Sequence, residues 1–293
     1  MSIGKKFSRN PFPTKASPVF AAIPAPLLGC VVLVPVLAVY LLGSYVWPSM
    51  LAAEVAPLPD AAFWLLYYLL VAGLLWLECM KAGITARLSL GAWPRRRQIW
   101  MYVFLAVPLI ALSFFCVYVL FLPFSFDNPA IVTTWLLEES PLIWWRSGAD
   151  ALGASVINVV LTVVIAPMVE EVIFRGFLLN RWWWYHGAWR GAVFSSLVFA
   201  LLHVDFLGAL VFGLILSLVY IKTKSLVGPI IVHMANNGLV VALLLAEGVV
   251  TGSIEPPTLA EFQAHWWFAP LGAAIGIPWL IWFTRRLFRA GRI

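Results

Sequence analysis

The chain has 293 residues, of which 63% are hydrophobic and only 11% are charged. A soluble domain has roughly 45–50% apolar and about 25% charged residues, so this composition excludes an ordinary water-soluble fold. The formal net charge is +6, and the three cysteines each lie inside an apolar run. An odd number of cysteines without a C-x-x-C spacing excludes a disulfide framework and a cysteine-based zinc ribbon.

Eight apolar runs of near-membrane length follow one another along the chain. They lie at approximately 26–47, 61–80, 99–122, 152–174, 190–204, 206–221, 226–246 and 267–284. About 20 apolar residues are enough to cross a bilayer as a helix. The sequence therefore predicts an all-α fold, a polytopic membrane helix bundle with about eight transmembrane helices. Between the third and fourth runs, residues 123–150 are rich in Trp, Leu and Ile and are expected to lie along the outer interface.

The basic residues indicate how the bundle is oriented. If the chain crosses eight times, 18 of the 19 lysine and arginine residues fall on one side, and only Arg146 falls on the other. The positive-inside rule then places both termini in the cytoplasm. Membrane orientation explains the positive charge, so we expect the lipid bilayer as a partner and no nucleic acid. The expected location is an integral, multi-pass position in a bacterial inner membrane or in the endoplasmic reticulum.

Ionisable residues inside the runs need an explanation, because each costs at least about 2.5–3.5 kcal/mol at mid-bilayer on insertion scales. Glu78 has Lys81 one helical turn away, which predicts a neutralised pair. In the fourth run, Glu171 and Arg175 are spaced i, i+4, which also predicts an ion pair. Glu170 has no partner nearby in sequence and is therefore a candidate functional residue. Pro167, one turn earlier, predicts a kink.

Two later runs add polar side chains at helical spacing. Phe199 and His203 share a face of the fifth run, and His233 and Asn237 share a face of the seventh. A lone histidine or asparagine in such a place is more often a satisfied core residue or interhelical glue. Counted from the predicted cytoplasmic boundaries at about 1.5 Å per residue, however, Glu170, His203, His233 and Asn237 all fall in the cytoplasmic half of the bilayer. The sequence thus predicts one site in the cytoplasmic half of the bilayer, opening toward the cytoplasm.

These residue types suit amide hydrolysis by water. A carboxylate and an imidazole, Glu170 and His203, can activate a water molecule as a general-base pair. His233 and Asn237 can donate hydrogen bonds to the oxyanion that forms on an attacked carbonyl. No serine or cysteine lies in a nucleophile motif among them, which favours direct attack by water.

Three motifs in order, E-E-x-x-x-R, F-x-x-x-H and H-x-x-x-N, resemble those of the CPBP family of intramembrane proteases. This family includes type II CAAX prenyl endopeptidases and bacteriocin-processing or immunity proteins, and the resemblance covers about residues 150–245. It implies a glutamate-dependent endopeptidase acting on a membrane-anchored peptide, either prenylated or of leader type. In that scheme Glu170 and His203 activate the water, and His233 and Asn237 form the oxyanion hole. Glu171, Arg175 and Phe199 have supporting roles.

The resemblance also defines the expected organisation of the chain. Residues 1–149 would hold transmembrane helices one to three and the outer interfacial segment. Residues 150–246 would form the protease-like catalytic core, and residues 247–293 an outer loop and the last transmembrane helix.

Several alternatives remain open. Glu170, His203 and His233 could hold zinc with one open coordination position, which would make the chain a metalloprotease. Because H-E-x-x-H is absent and Asn237 is a better donor than ligand, a mechanism without a cofactor is favoured. Outside catalysis, the same motifs would suit a membrane immunity or scaffold protein, and buried charges would suit an ion- or proton-coupled transporter.

Overall fold

The computed structural model describes residues 57–84, 90–138, 141–145 and 148–289, together with five isolated positions between residues 29 and 41. The first predicted span, 26–47, therefore lies outside the described residues apart from those isolated positions. The described part consists of helices and their connections, without any β-strand. The predicted all-α class is confirmed.

Twelve α-helices and three π-helical segments make up the described part of the chain. In chain order the α-helices are α1 (Pro57–Lys81), α2 (Arg96–Phe104), α3 (Ala106–Asp127), α4 (Pro129–Val132), α5 (Ala149–Val160), α6 (Ala166–Glu171), α7 (Leu179–His186), α8 (Ala188–Ala200), α9 (Phe206–Thr223), α10 (Val227–Thr251), α11 (Leu259–Ala264) and α12 (Phe268–Arg289). The π-helical segments are Thr133–Leu137, Leu161–Ile165 and Val172–Leu178.

Five helical stretches are long and apolar enough to cross a membrane. They are Pro57–Lys81, Arg96–Asp127, Ala149–His186, Phe206–Thr223 and Val227–Thr251. They coincide with the second, third, fourth, sixth and seventh predicted spans, while the shorter α8 and the helix α12 coincide with the fifth and eighth. The protein is thus an integral, multi-pass membrane bundle.

The helix that carries the adjacent glutamates is longer than predicted. It runs for 38 residues, Ala149–His186, instead of ending near residue 174. π-Helical segments lie on both sides of α6. A proline has no N–H to donate, and the wide turn before Pro167 accommodates the missing hydrogen bond. The helix therefore continues through Pro167, and the predicted kink there stays a prediction.

The fifth span is shorter than predicted. The helix α8 has 13 residues and ends at Ala200, and a turn over residues 201–205 leads into α9. The Asp205 side chain accepts a hydrogen bond from the Gly208 backbone N–H at 2.9 Å and so caps α9. His203, which the sequence placed on a helix face, lies instead in the turn.

One end of the bundle is basic. Ser225 Oγ donates hydrogen bonds to the carbonyls of Leu90 and Ala92, which joins the turn after α9 to the segment before α2. Lys224 Nζ lies 3.3 Å from the centroid of the Trp183 ring, so the end of α7 lies beside the turn after α9. Burial lowers the pKa of Lys224 to about 8. The basic end comprises the described residues Lys81, Arg95, Arg96, Arg97, Arg181, Arg190, Lys222, Lys224, Arg285 and Arg286.

The opposite end is acidic. Gln263 Nε2 donates to the Ser125 carbonyl at 2.9 Å, and the Trp144 backbone N–H donates to Ser155 Oγ at 2.9 Å, which ties the outer connections to α3 and α5. The acidic end comprises the described residues Asp60, Asp127, Glu138, Asp150, Glu247, Glu255 and Glu261. Arg146, the single basic residue predicted at this end, lies outside the described residues.

Glycines allow the helices to approach closely. A Cβ atom at Gly272 of α12 would clash with the Ala111 carbonyl oxygen of α3. Because the clashing atom belongs to the backbone, no side-chain rotation could relieve the contact. A Cβ atom at Gly73 of α1, by contrast, would meet no heavy atom within 4 Å.

We therefore expect the same substitution to have opposite effects at these two positions. Gly272→Ala should destabilise the bundle by about 1–3 kcal/mol, because overpacking outweighs the gain in helix propensity. Gly73→Ala should leave stability unchanged or raise it by up to about 1 kcal/mol. Thermal unfolding in detergent, followed by tryptophan fluorescence, measures both. A Gly272→Ala variant as stable as Gly73→Ala would contradict the packing of α12 on α3.

Candidate active site

A cavity of about 680 Å³ lies within the bundle, between α1, α9, α10 and the helical stretch Ala149–His186, which we call the glutamate helix. Its wall includes all four residues predicted to be catalytic. These are Glu170, His203, His233 and Asn237, and the wall also includes Phe199 and Tyr68. The structure thus brings together residues that are scattered along the sequence. Their catalytic roles stay a prediction.

Glu170 faces the cavity from α6 and keeps 17% of its side chain exposed. Its Oε1 atom accepts a hydrogen bond from the Tyr68 hydroxyl of α1 at 2.9 Å. Its Oε2 atom lies 3.9 Å from His233 Nε2. Tyr68 therefore holds the carboxylate through Oε1, and Oε2 remains available to a ligand or water in the cavity.

No local spacing links Tyr68 to Glu170, because Tyr68 lies 102 positions before its partner. A signal was nevertheless present. Asp60, Trp64 and Tyr68 are spaced four residues apart, and all three line the cavity. A stripe of polar and interfacial aromatic side chains along one face of an apolar helix indicates a face that does not contact lipid.

Glu171 points away from the cavity and is completely buried. Its Oε1 atom accepts hydrogen bonds from Arg175 Nη1 at 2.7 Å and from His233 Nδ1 at 2.9 Å. The predicted ion pair with Arg175 is present, as is the pair between Glu78 and Lys81 at 2.6 Å.

Arg175 lies deeper in the protein than predicted. The apolar runs predict a position on the cytoplasmic side, between the fourth and fifth spans, but the Arg175 side chain is completely buried. Its Nη2 atom donates to the Gly213 carbonyl of α9 at 3.2 Å. Its guanidinium carbon lies 4.7 Å from the centroid of the Phe199 ring, a cation–π distance. Arg175 thus belongs to the interior of the site and does not contribute to the orientation signal.

The contact between His233 and Glu171 determines which ring nitrogen faces the cavity. A carboxylate paired with arginine only accepts hydrogen bonds, so His233 Nδ1 carries the proton. The Nε2 atom is left toward Glu170 and the cavity. In the neutral ring this atom is an acceptor, so the predicted oxyanion role requires the doubly protonated ring. The sequence paired His233 only with Asn237 and did not anticipate Glu171 as its partner.

His203 is also held through Nδ1. This atom lies 2.8 Å from the Phe199 carbonyl oxygen, and the two rings are 4.2 Å apart between centroids. A carbonyl only accepts, so Nδ1 carries the proton and Nε2 remains able to accept one. No hydrogen bond joins His203 directly to Glu170 within the described part of the chain. A proton passing between them therefore requires an intervening water molecule.

Asn237 is anchored by the irregular part of the glutamate helix. Its Nδ2 atom donates to the Thr162 carbonyl in the π-helical segment Leu161–Ile165 at 2.8 Å. The neighbouring Asn236 donates to Asn237 Oδ1 at 3.4 Å. One N–H of the Asn237 amide is thus engaged, while the second is available to a ligand in the cavity.

The residues proposed as zinc ligands do not form a ligand cluster. Among the described residues, no group of three His, Cys, Asp or Glu side chains is placed to hold a metal ion. His203 lies in the turn after α8. The placement of Glu170, His203 and His233 therefore does not fit a three-ligand zinc site.

The cavity extends toward the acidic end of the bundle. On each helix, the wall residues run from the level of Glu170 and His233 toward the acidic end. Asp60, Pro141 and Leu142, which lie at the acidic end, also belong to the wall. No residue of the basic end lines it. The prediction of a site that opens toward the cytoplasm is therefore incompatible with the orientation inferred from the basic residues.

The fold and the cavity together define a membrane bundle with a polar site between its helices, and comparison with known proteins identifies a similar class. Residues 152–239 match the family model described as "Type II CAAX prenyl endopeptidase Rce1-like". This range contains all three motifs, so the resemblance inferred from them is confirmed for this region.

Three bacterial proteins are similar to parts of the chain. The membrane-embedded CAAX protease MroQ of Staphylococcus aureus (strain USA300) is 38% identical over 94 residues, which are 28% of this chain and 37% of MroQ. An uncharacterized 24.3 kDa protein of Escherichia coli is 35% identical over 97 residues, 29% of this chain and 44% of that protein. YdiL of Bacillus subtilis (strain 168) is 25% identical over 99 residues, 33% of this chain and 41% of YdiL. The matches thus span less than half the length of each relative, and no solved structure matches the chain.

The buried and exposed ion pairs should differ greatly in their effect on stability. Arg175→Ala removes the arginine that neutralises the buried Glu171 carboxylate and leaves His233 as its remaining donor, and we expect a loss of about 3–5 kcal/mol. Lys81→Ala removes a partner that is 70% exposed, and the expected loss is at most about 1 kcal/mol. Unfolding in detergent measures both variants. Adding Glu171→Gln to Arg175→Ala should recover part of the loss, because it removes the stranded charge. If Arg175→Ala and Lys81→Ala lowered stability equally, the buried ion pair between Glu171 and Arg175 would be contradicted.

Proposed function

We propose that the protein is an intramembrane endopeptidase that hydrolyses a peptide bond of a membrane-associated peptide. The observation that carries the proposal is the convergence of Glu170, His203, His233 and Asn237 on one cavity. These residues lie within the region similar to type II CAAX prenyl endopeptidases. The expected substrates are prenylated or leader-type peptides held at the bilayer.

Glu170 acts as the general base. Tyr68 holds Oε1, so Oε2 is the atom that takes a proton from a water molecule in the cavity. The water oxygen attacks the carbonyl carbon of the scissile bond and forms a tetrahedral intermediate. His203 Nε2 accepts a hydrogen bond that orients the water. The proton held by Glu170 then passes through an intervening water molecule to His203 Nε2, which delivers it to the leaving amine as the C–N bond breaks.

His233 and Asn237 stabilise the negative charge on the attacked oxygen. Glu171 fixes the His233 ring, and the Thr162 carbonyl fixes the Asn237 amide, so both groups are oriented before substrate binds. Preorganised donors are effective because they need no reorganisation during the reaction, and each is worth about 10²–10³ in rate. The doubly protonated His233 ring supplies one donor, and the unengaged amide N–H of Asn237 supplies the other.

Cleavage by purified protein in lipid nanodiscs tests this function. Two fluorogenic probes would be used, a farnesylated peptide ending in a CAAX sequence and an unprenylated peptide with a transmembrane anchor. Glu170→Gln and His203→Ala should each lower the cleavage rate at least about 10²-fold, the usual contribution of a general acid or base. Glu78→Gln is the matched carboxylate control, since Glu78 pairs with Lys81 outside the cavity wall. His186→Ala, at the end of α7, is the matched histidine control.

If both cavity variants cut as fast as the two controls, the proposed water-activating pair is wrong. If the wild-type protein cuts neither probe, a non-proteolytic immunity or scaffold role becomes the better hypothesis. Preference for one probe identifies whether the prenyl group is recognised.

We also propose that the reaction uses no metal, because the three candidate ligands do not cluster among the described residues. Incubation with a strong zinc chelator should leave the cleavage rate unchanged. The control is a zinc protease carrying H-E-x-x-H, assayed in the same buffer with the same chelator. Activity that disappears with the chelator and returns with added zinc would establish the metalloprotease alternative.

A further inference from the structure

We propose that the cavity receives its substrate from the non-cytoplasmic side of the membrane. The substrate class is a membrane-anchored peptide whose scissile bond reaches that side and whose neighbouring residues are neutral or basic. This inference rests on the proposed function for the nature of the reaction. The direction of access rests independently on charge and packing.

The distribution of charge determines the orientation. Apart from Arg175, which is buried, every described lysine and arginine lies at the basic end, and the acidic residues outside the cavity concentrate at the other. Positive residues flanking membrane spans stay in the cytoplasm. Because several separate connections between spans carry this positive charge, the basic end is the cytoplasmic end.

The interior is closed between the reacting groups and the basic end. Phe177, Leu179 and Tyr220 are fully or almost fully buried there. Asn180 is also completely buried, and its Nδ2 atom donates to the carbonyls of Arg175 and Gly176 and to the Tyr220 hydroxyl at 2.7–2.9 Å. A hydrogen-bonded side chain surrounded by packed aromatic and aliphatic groups leaves no path for a peptide.

The other end supplies the entrance. Asp60 and Trp64 at the start of α1, together with Leu136, Pro141 and Leu142 from the connection between α3 and α5, line the cavity and are partly or largely exposed. The mouth therefore joins the reacting groups to the acidic end. Its mixture of one carboxylate with apolar side chains suits a peptide held against the bilayer.

The charges of the cavity wall limit which peptide can enter. Asp60, Glu170 and Asp205 line it, and no lysine or arginine does. An acidic residue beside the scissile bond would be repelled in this poorly screened space, whereas a neutral or basic residue would not. A peptide with a lysine next to the scissile bond should therefore be cut faster than the same peptide with a glutamate there.

Single-cysteine labelling tests the direction of access in the full-length protein. Cys30, Cys79 and Cys116 would first be replaced by serine, and the background checked for cleavage of the transmembrane-anchored probe. Leu142→Cys then reports on the mouth, Asn236→Cys on the cavity, and Arg96→Cys on the basic end. A membrane-impermeant maleimide is applied to spheroplasts of expressing cells and, separately, to inside-out vesicles.

We expect Leu142→Cys and Asn236→Cys to be labelled in spheroplasts and not in inside-out vesicles, with Arg96→Cys showing the reverse. Labelling of Asn236→Cys only from inside-out vesicles would overturn the proposal, even if cleavage is intact. Cleavage that stops when Leu142→Cys is labelled from outside supports both access and function. Labelling from outside in a protein that cuts neither probe would retain the access route and reject the protease.

Discussion

The architecture of the site depends on the buried carboxylate of Glu171. With no water to solvate it, an isolated charge here would cost several kcal/mol, so the carboxylate must be matched by donors. Arg175 and His233 provide them, and Arg175 also reaches the Gly213 carbonyl. One oxygen atom thereby connects the glutamate helix to α10, and its arginine partner extends the connection to α9. The imidazole of His233 can take only the orientation that satisfies this carboxylate, which is why its other nitrogen faces the cavity.

Two adjacent glutamates acquire different chemistry from this arrangement. Neighbouring residues on a helix point about 100° apart, so Glu170 and Glu171 cannot both face the core. Glu171 is completely buried and neutralised by ion pairing, whereas Glu170 retains some exposure and one oxygen free of protein donors. The first therefore suits positioning and the second suits proton transfer. The π-helical turns on either side of α6 allow the long helix to present both side chains while accommodating Pro167.

Local spacing predicted much of the site, but it could not predict contacts between helices that are distant in the sequence. The i, i+4 pattern was sufficient for the Glu171–Arg175 pair, because both partners lie on one helix. The long-range bonds from Tyr68 to Glu170 and from His233 to Glu171 depend on how helices pack, which no spacing encodes. Helix ends were also less predictable. The apolar run continues to residue 204, although α8 ends at Ala200 and His203 lies in the turn that follows. Another apolar run ends near residue 174, although the helix continues to His186. Charge at the helix ends and a stripe along α1 were present in the sequence, but only the structure relates them to the cavity.

Access from one side agrees with what the proposed hydrolytic site would require in a membrane. The proposed reaction consumes water, so the cavity would have to be hydrated, yet a hydrated path through the whole bundle would conduct ions and protons. Packing around Asn180 and Tyr220 closes the path on the basic side. Water and peptide therefore share the mouth at the acidic end. A transporter needs alternating openings toward both sides, usually built from discontinuous helices at mid-membrane. The continuous 38-residue helix and the closed basic side favour a hydrolase with a single entrance over that alternative.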